Sequence, residues 1–98
     1  MLVRIVKLTI QEENISSFEE IFSETKEIIR NQEGCLRLEL FRDRKDPRIF
    51  FTYSHWVEEK DLQAYRDSEF FKNVWGQTRE FFASKPEAWS LNRIDQLN

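Results

Sequence analysis

The chain is poor in the residues on which many small proteins depend. It has one cysteine, Cys35, one histidine, His55, and only two glycines, Gly34 and Gly76. A single cysteine closes no disulfide within the chain and fits a reducing compartment, so a cytoplasmic location is expected. One His and one Cys cannot furnish a conventional structural zinc site, and no metal is expected. Two isolated glycines leave no phosphate-cradling loop or dinucleotide fingerprint, and there is no G-x-S-x-G turn to present a nucleophilic serine. No segment approaches the ~20 consecutive apolar residues of a membrane span. The opening "MLVRIVKLTI" has neither an unbroken apolar stretch nor a small-residue cleavage site, which is not the pattern of a signal peptide. Charge of one sign is also lacking in quantity. Fifteen basic and 18 acidic residues give a formal charge of −3, with no long block of either sign, and hence no electrostatic footprint for nucleic acid or an anionic membrane.

Aromatic side chains, by contrast, are plentiful. Nine Phe, three Trp and two Tyr occur in 98 residues. A chain of this length is expected to form one domain, residues 1–98, and to bury only ~65% of its unfolded surface. So aromatic a core often continues across a subunit boundary, and self-association to a homodimer is expected.

The order of elements follows from local pattern. "LVRIVKLTI" (Leu2 to Ile10) is rich in β-branched residues and reads as a strand, with Arg4, Val6, Leu8 and Ile10 on one face. Ile15, Phe18, Ile21, Phe22, Thr25, Ile28 and Ile29 then recur at three and four, the stripe of an amphipathic helix. Ser16 and Glu19 have the spacing of a capping box at its start, although the helix could begin earlier, at Glu12 or Glu13. Gly34 is expected at its end, where a left-handed residue is needed. "CLRLELFRD" (Cys35 to Asp43) alternates, placing Leu36, Leu38 and Leu40 on one face. "RKDP" is a turn, and "RIFFTYSHW" (Arg48 to Trp56) returns as the second arm of a hairpin. A short helix follows, then a second one capped by Ser68, with a stripe of Phe70, Phe71, Val74, Trp75, Thr78, Phe81 and Phe82. "AWSLNRI" (Ala88 to Ile94) supplies the last strand. The fold class is therefore α+β, a ferredoxin-like βαββαβ arrangement whose antiparallel sheet carries its helices on one face. The other face must be covered or solvated; Val3, Ile5, Phe51 and Tyr53 are too apolar for full exposure, whichever face each occupies, and a second subunit stacked sheet to sheet would cover them.

Three stretches carry a family resemblance. Glu33-Gly34-Cys35 leads into the second strand, Trp56 and Leu62 frame the turn into the short helix, and Ser68 and Phe71 start the helix after it. In these the chain resembles the antibiotic biosynthesis monooxygenase superfamily over essentially its whole length. The resemblance implies a dimeric α/β barrel with a pocket between sheet and helices in each subunit. Characterised members include cofactor-independent oxygenases of quinol or anthrone-type aromatics, heme-degrading enzymes and an isomerase of a small phosphorylated molecule. Heme-degrading members carry W-x8-W-x9-H, whose last His ligates iron. The same spacing here reads Trp56, Tyr65, Trp75, and an indole N–H is a donor only. Their first-strand Asn also falls near Val6. Both departures argue strongly against heme degradation, and no cofactor is expected.

The resemblance places Tyr65 where many members have a pocket His, and a phenol there could orient a substrate hydroxyl or relay a proton. His55 is the one group titrating near neutrality without a large perturbation, and it joins Tyr65 as a catalytic candidate although a lone strand-end His is commonly solvated. Arg4, among apolar neighbours on its strand face, is a candidate anchor for an anionic substrate group. Trp56, Trp75, Phe71 and Asn92 complete the expected substrate-binding set. The function these imply is cofactor-independent oxygenation of a small aromatic or quinol-like molecule. The rival is a non-catalytic small-molecule-binding dimer, or an isomerase on the same fold. An RNA-binding domain has the same element order, but "RIFFTYSH" lacks that fold's basic-Gly-aromatic-Gly start and the net charge is acidic.

Overall fold

A computed structural model describes all 98 residues, Met1–Asn98. Four strands, β1 (Leu2–Thr9), β2 (Cys35–Arg42), β3 (Ile49–Trp56) and β4 (Glu87–Asn92), form one antiparallel sheet in the order β2-β3-β1-β4. Helix α1 (Ile15–Arg30) follows β1, while α2 (Glu59–Asp67) and α3 (Glu69–Arg79) lie between β3 and β4. This is the ferredoxin-like α+β order read from the sequence, and no helix is long and apolar enough to cross a membrane.

Cross-strand register divides the sheet into two unlike faces. Under the helices run rungs such as Leu38–Ser54–Arg4–Ser90 and Leu40–Thr52–Val6–Ala88. On the other face the rungs are Arg37–His55–Val3–Leu91, Glu39–Tyr53–Ile5–Trp89 and Phe41–Phe51–Lys7–Glu87. The alternation expected for β2 fails at Leu36. A bulge between Cys35 and Arg37 gives Cys35 the place opposite Trp56 and leaves Leu36 exposed. One extra residue shifts the parity of what precedes it, so Cys35 rather than Leu36 joins the core.

Two other local expectations are corrected. Ser16 lies inside α1 and makes no cap. A short 3₁₀ turn (Glu12–Asn14) leads into the helix instead, and Asn14, its preceding residue, makes no side-chain cap bond. The turn is fastened by Gln11, whose Nε2 donates to the Phe82 carbonyl at 3.0 Å, while Asn14 Nδ2 donates to Gln11 Oε1 at 3.3 Å. A tertiary tether replaces the local box. Likewise α3 stops at Arg79, so Phe81 and Phe82 pack from the loop beyond it, where Phe82 bridges to Ile10. The break at Ser68 is as expected. Its Oγ donates to the Tyr65 carbonyl at 2.6 Å, closing α2, and accepts from the Phe71 N–H at 3.1 Å, opening α3.

Only 11 of 98 residues are buried, and seven of them form two separate clusters rather than one core. Leu8, Ile10, Phe18 and Phe50 make the first, with Trp75 and Phe82 packed against it. Cys35, Trp56 and Leu62 make the second, with Leu2 and Tyr65 alongside. The space between them is where the candidate site lies.

Candidate functional site

Hydrophobic packing on the two sides leaves a cavity of about 280 Å³ between the sheet and the three helices. Its floor is the helix-side face of the sheet, with Arg4, Val6 and Leu8 from β1, Thr52 and Ser54 from β3, and Ala88 from the edge strand β4. Helix α1 supplies Phe18, Ile21, Phe22, Thr25 and Ile29. Helices α2 and α3 supply Leu62, Tyr65, Arg66, Phe71, Val74 and Trp75. All six residues of β4 are exposed, so the cavity is open towards that edge.

The aromatic wall is continuous. Trp56 stacks on Tyr65 with ring centres 5.4 Å apart and planes 23° from parallel. Tyr65 meets Phe71 edge to face at 5.1 Å, and Phe71 stacks on Trp75 at 5.7 Å. Trp56 is only 1% exposed, and its Nε1–H donates to Ser54 Oγ at 3.0 Å, so its one polar atom is satisfied within the protein. Trp56 is thus at once a core residue and part of the wall.

The polar groups of the cavity differ in what they have left to offer. Thr25 and Thr78 donate their hydroxyls back to the Ile21 and Val74 carbonyls of their own helices, each at 2.8 Å. Tyr65 makes no side-chain hydrogen bond to the protein. Burial pushes its phenol above the ordinary tyrosine value, with a smaller contribution from nearby Cys35. It is therefore protonated at neutral pH and available as a donor, not as a base. Arg4 donates from Nη1 to Ser90 Oγ at 2.9 Å. Its guanidinium is held below its usual value first by burial and then by the charge of Arg66.

Five of the seven residues singled out in the sequence meet in this cavity: Arg4, Trp56, Tyr65, Phe71 and Trp75. Asn92 sits apart, in a shallow recess with Leu2, Val57 and Lys60 at the end of the sheet. His55 lies on the opposite face, as alternation next to Trp56 requires. The expectation that it is solvated is corrected: it is 7% exposed, with its ring 4.8 Å from that of Tyr53 and its Nε2 buried without a partner. Desolvation, and then the charges of Arg93 and Arg37, lower its pKa, opposed by Glu39. Sequence reasoning passed over Arg66. It follows Leu62 by four on α2, so it shares the Leu62 face of that helix, and that spacing was the signal available.

A ferredoxin-like α+β domain with an apolar cavity roofed by its helices is the class of protein this geometry defines. The chain belongs to the antibiotic biosynthesis monooxygenase family, whose family model matches residues 1–75. Among solved structures it is similar to an antibiotic biosynthesis monooxygenase at 23% identity, with a TM-score of 0.91 over 97% of this chain and 100% of that one. It is similar also to a conserved protein of Methanosarcina mazei (20% identity, TM-score 0.88, 95% and 93% covered). A protein of Mycobacterium tuberculosis compares at 15% identity and TM-score 0.88, with 99% and 98% covered. At such identities the likeness establishes a shared fold. No curated protein sequence matches the chain.

Proposed function

We propose that the protein is a cofactor-independent monooxygenase of a small aromatic, quinol- or anthrone-like molecule, acting as a cytoplasmic homodimer. The observation that carries the reading is Tyr65: a protonated phenol, unbonded to the protein, set in an aromatic wall beside an apolar cavity. The cavity volume lies just below the ~300–1,000 Å³ of drug-sized sites and suits one compact aromatic molecule. Membership of the family supports the reaction class.

The reaction needs little from the protein. An activated CH₂ of the substrate loses a proton to water at the open side, and the anion passes one electron to O₂. The radical pair combines to a peroxide, which takes up a proton and expels water to leave C=O. Substrate CH₂ and O₂ thus become a ketone and H₂O, with one oxygen atom in each. Arg4 supplies positive charge that favours the anion. Tyr65 donates a hydrogen bond to oxygen as negative charge moves onto it. The aromatic wall excludes bulk water.

The outer sheet face supports the homodimer. Phe41 is 49% and Trp89 42% exposed there, alongside Phe51, Tyr53 and Ile5, a patch suited to its own copy. The test of the catalytic reading is oxygen uptake by the flavin-free protein with anthrone. One O₂ consumed per anthrone, with kcat lower on the order of 10²-fold in Tyr65→Phe and KM little changed, is the expected result. Uptake no faster than the spontaneous rate overturns it. A second reading is favoured by one observation, that no imidazole or carboxylate lines the cavity to act as base. Quenching of Trp56 and Trp75 fluorescence by anthrone without uptake would make the protein a small-molecule-binding module.

A further inference from the structure

Two arginines line the same cavity and neither has an anionic partner. Arg4 rises from β1 in the rung Ser54–Arg4–Ser90, half-buried, and spends one N–H on the Ser90 hydroxyl. Arg66 stands on α2 at the same cavity, exposed, with no side-chain hydrogen bond. Five ion pairs link side chains elsewhere, and neither arginine takes part in any of them. The nearest acidic neighbour in sequence, Asp67, is engaged by Gln63 Nε2 at 2.9 Å.

An isolated surface arginine has a simple solvated explanation, and Arg66 alone would carry nothing. The pair is different, because the second guanidinium is half-buried. Fourteen of the 21 residues around the cavity are hydrophobic, and partly desolvating one cation near another without a counter-charge raises the energy of both. The charge of Arg66 is already felt at Arg4. An anion between them would offset the repulsion and use the remaining N–H donors of both forks.

We propose that the ligand of this cavity is an aromatic carboxylate, its ring among Trp56, Tyr65 and Phe71 and its carboxylate held between Arg4 and Arg66. This deepens the reading of the cavity as a small-molecule site and rests on it. A singly charged oxyanion fits better than a dianionic phosphate. Only Arg4 is half-buried while Arg66 is exposed, so one partly desolvated cation has to be balanced, and a second negative charge would be desolvated against a mostly hydrophobic lining. The ring end explains the uninterrupted aromatic wall, and the charged end explains why two cations were left without partners at the cavity.

The experiment compares three ligands with one ring system. 2-Naphthoate, its neutral isostere 2-naphthamide and 2-naphthyl phosphate are titrated against tryptophan fluorescence in wild type, Arg4→Gln and Arg66→Gln. Wild type is expected to hold naphthoate about tenfold more tightly than naphthamide, the scale of a hydrogen bond to a charged group. Each variant is expected to lose most of that preference, read as the ratio of the naphthoate and naphthamide affinities within the same variant, and raised salt is expected to narrow it. Equal binding of naphthoate and naphthamide by wild type overturns the anion site while leaving the cavity a binding site. A preference retained in both variants overturns the assignment to these arginines. Tighter binding of the phosphate than the carboxylate overturns the choice of anion. Absence of quenching by all three removes the cavity reading itself. Should Arg4→Gln fail to fold, the wild-type ratio and the exposed Arg66→Gln variant still decide.

Discussion

The two faces of the sheet use similar residues to opposite ends. Beneath the helices, Trp56, Leu8 and Phe50 are almost fully buried and flank a cavity. On the other face, Phe41, Tyr53 and Trp89 form an open patch, interleaved with the ion pairs Arg37–Glu39 and Lys7–Glu87. One face has its covering layer within the chain, and the other has none from this chain. Two titratable ring groups, Tyr65 and His55, follow the same division. Tyr65 faces the cavity with a free hydroxyl, whereas His55 is sealed among outer-face side chains with an unmatched nitrogen. A buried polar group without a partner costs free energy, so the outer face holds an unfavourable group as well as exposed apolar surface.

Substitutions can break this contrast, and the largest effect is expected at Trp56. Trp56→Ala removes the centre of the second cluster and the partner of Ser54, and should cost about 3–5 kcal/mol in chemical denaturation. A loss below about 1 kcal/mol would mean that the inner face does not depend on that cluster. The next effect concerns how α2 is seated over the sheet. Gly34 has φ +82°, its carbonyl accepts from the Val57 N–H at 2.8 Å, and an added Cβ would collide with Asp61 on α2. Gly34→Ala is expected to cost about 1–3 kcal/mol and to weaken ligand binding, since α2 carries Tyr65 and Arg66.

The outer face should answer to pH. The His55 pKa is lowered from 6.5, so the unfolded chain takes up protons that the folded chain refuses. The stability of the neutral form is complete above pH 6.5, falls as pH drops below it, and levels off beneath the folded value. Thermal melts between pH 8 and pH 5 should show a component lost in His55→Gln, although Arg37, Arg93 and Glu39 still face the site. An identical pH profile in the variant would show that His55 is not the group responsible. The smallest effect on the single chain is expected from Trp89→Ser. Its stability should change by no more than about 0.5 kcal/mol, while sedimentation should show weakened self-association. A monomeric wild type at micromolar concentration would end the pairing of outer faces.

Much of the fold was legible because its signals are local. Alternation in β1 and β3, the stripe of α1 and the double role of Ser68 each depend on a few adjacent residues and the periods 2 and 3.6. The cavity's aromatic wall was legible for the same reason, as Trp56, Tyr65, Phe71 and Trp75 fall on predictable faces. The misses came where distant contacts outweighed local ones. Ser16 had the spacing of a cap, but Gln11 reaches across the fold to Phe82 and fastens the helix start from there. Leu36 fitted the alternation of β2 until the bulge moved Cys35 into its place.

The sequence by itself determined which residues belong to which strand face and which helix stripe, since chain geometry sets those periods whatever surrounds them. It thereby determined that His55 and Trp56 point apart. Tertiary structure alone decided that two clusters form instead of one, that a cavity lies between them, and that Arg66 comes over the same cavity as Arg4. These depend on how closely α1, α2 and α3 settle onto the sheet. That is a balance of packing volumes and desolvation among residues far apart in the chain, and no local period encodes it.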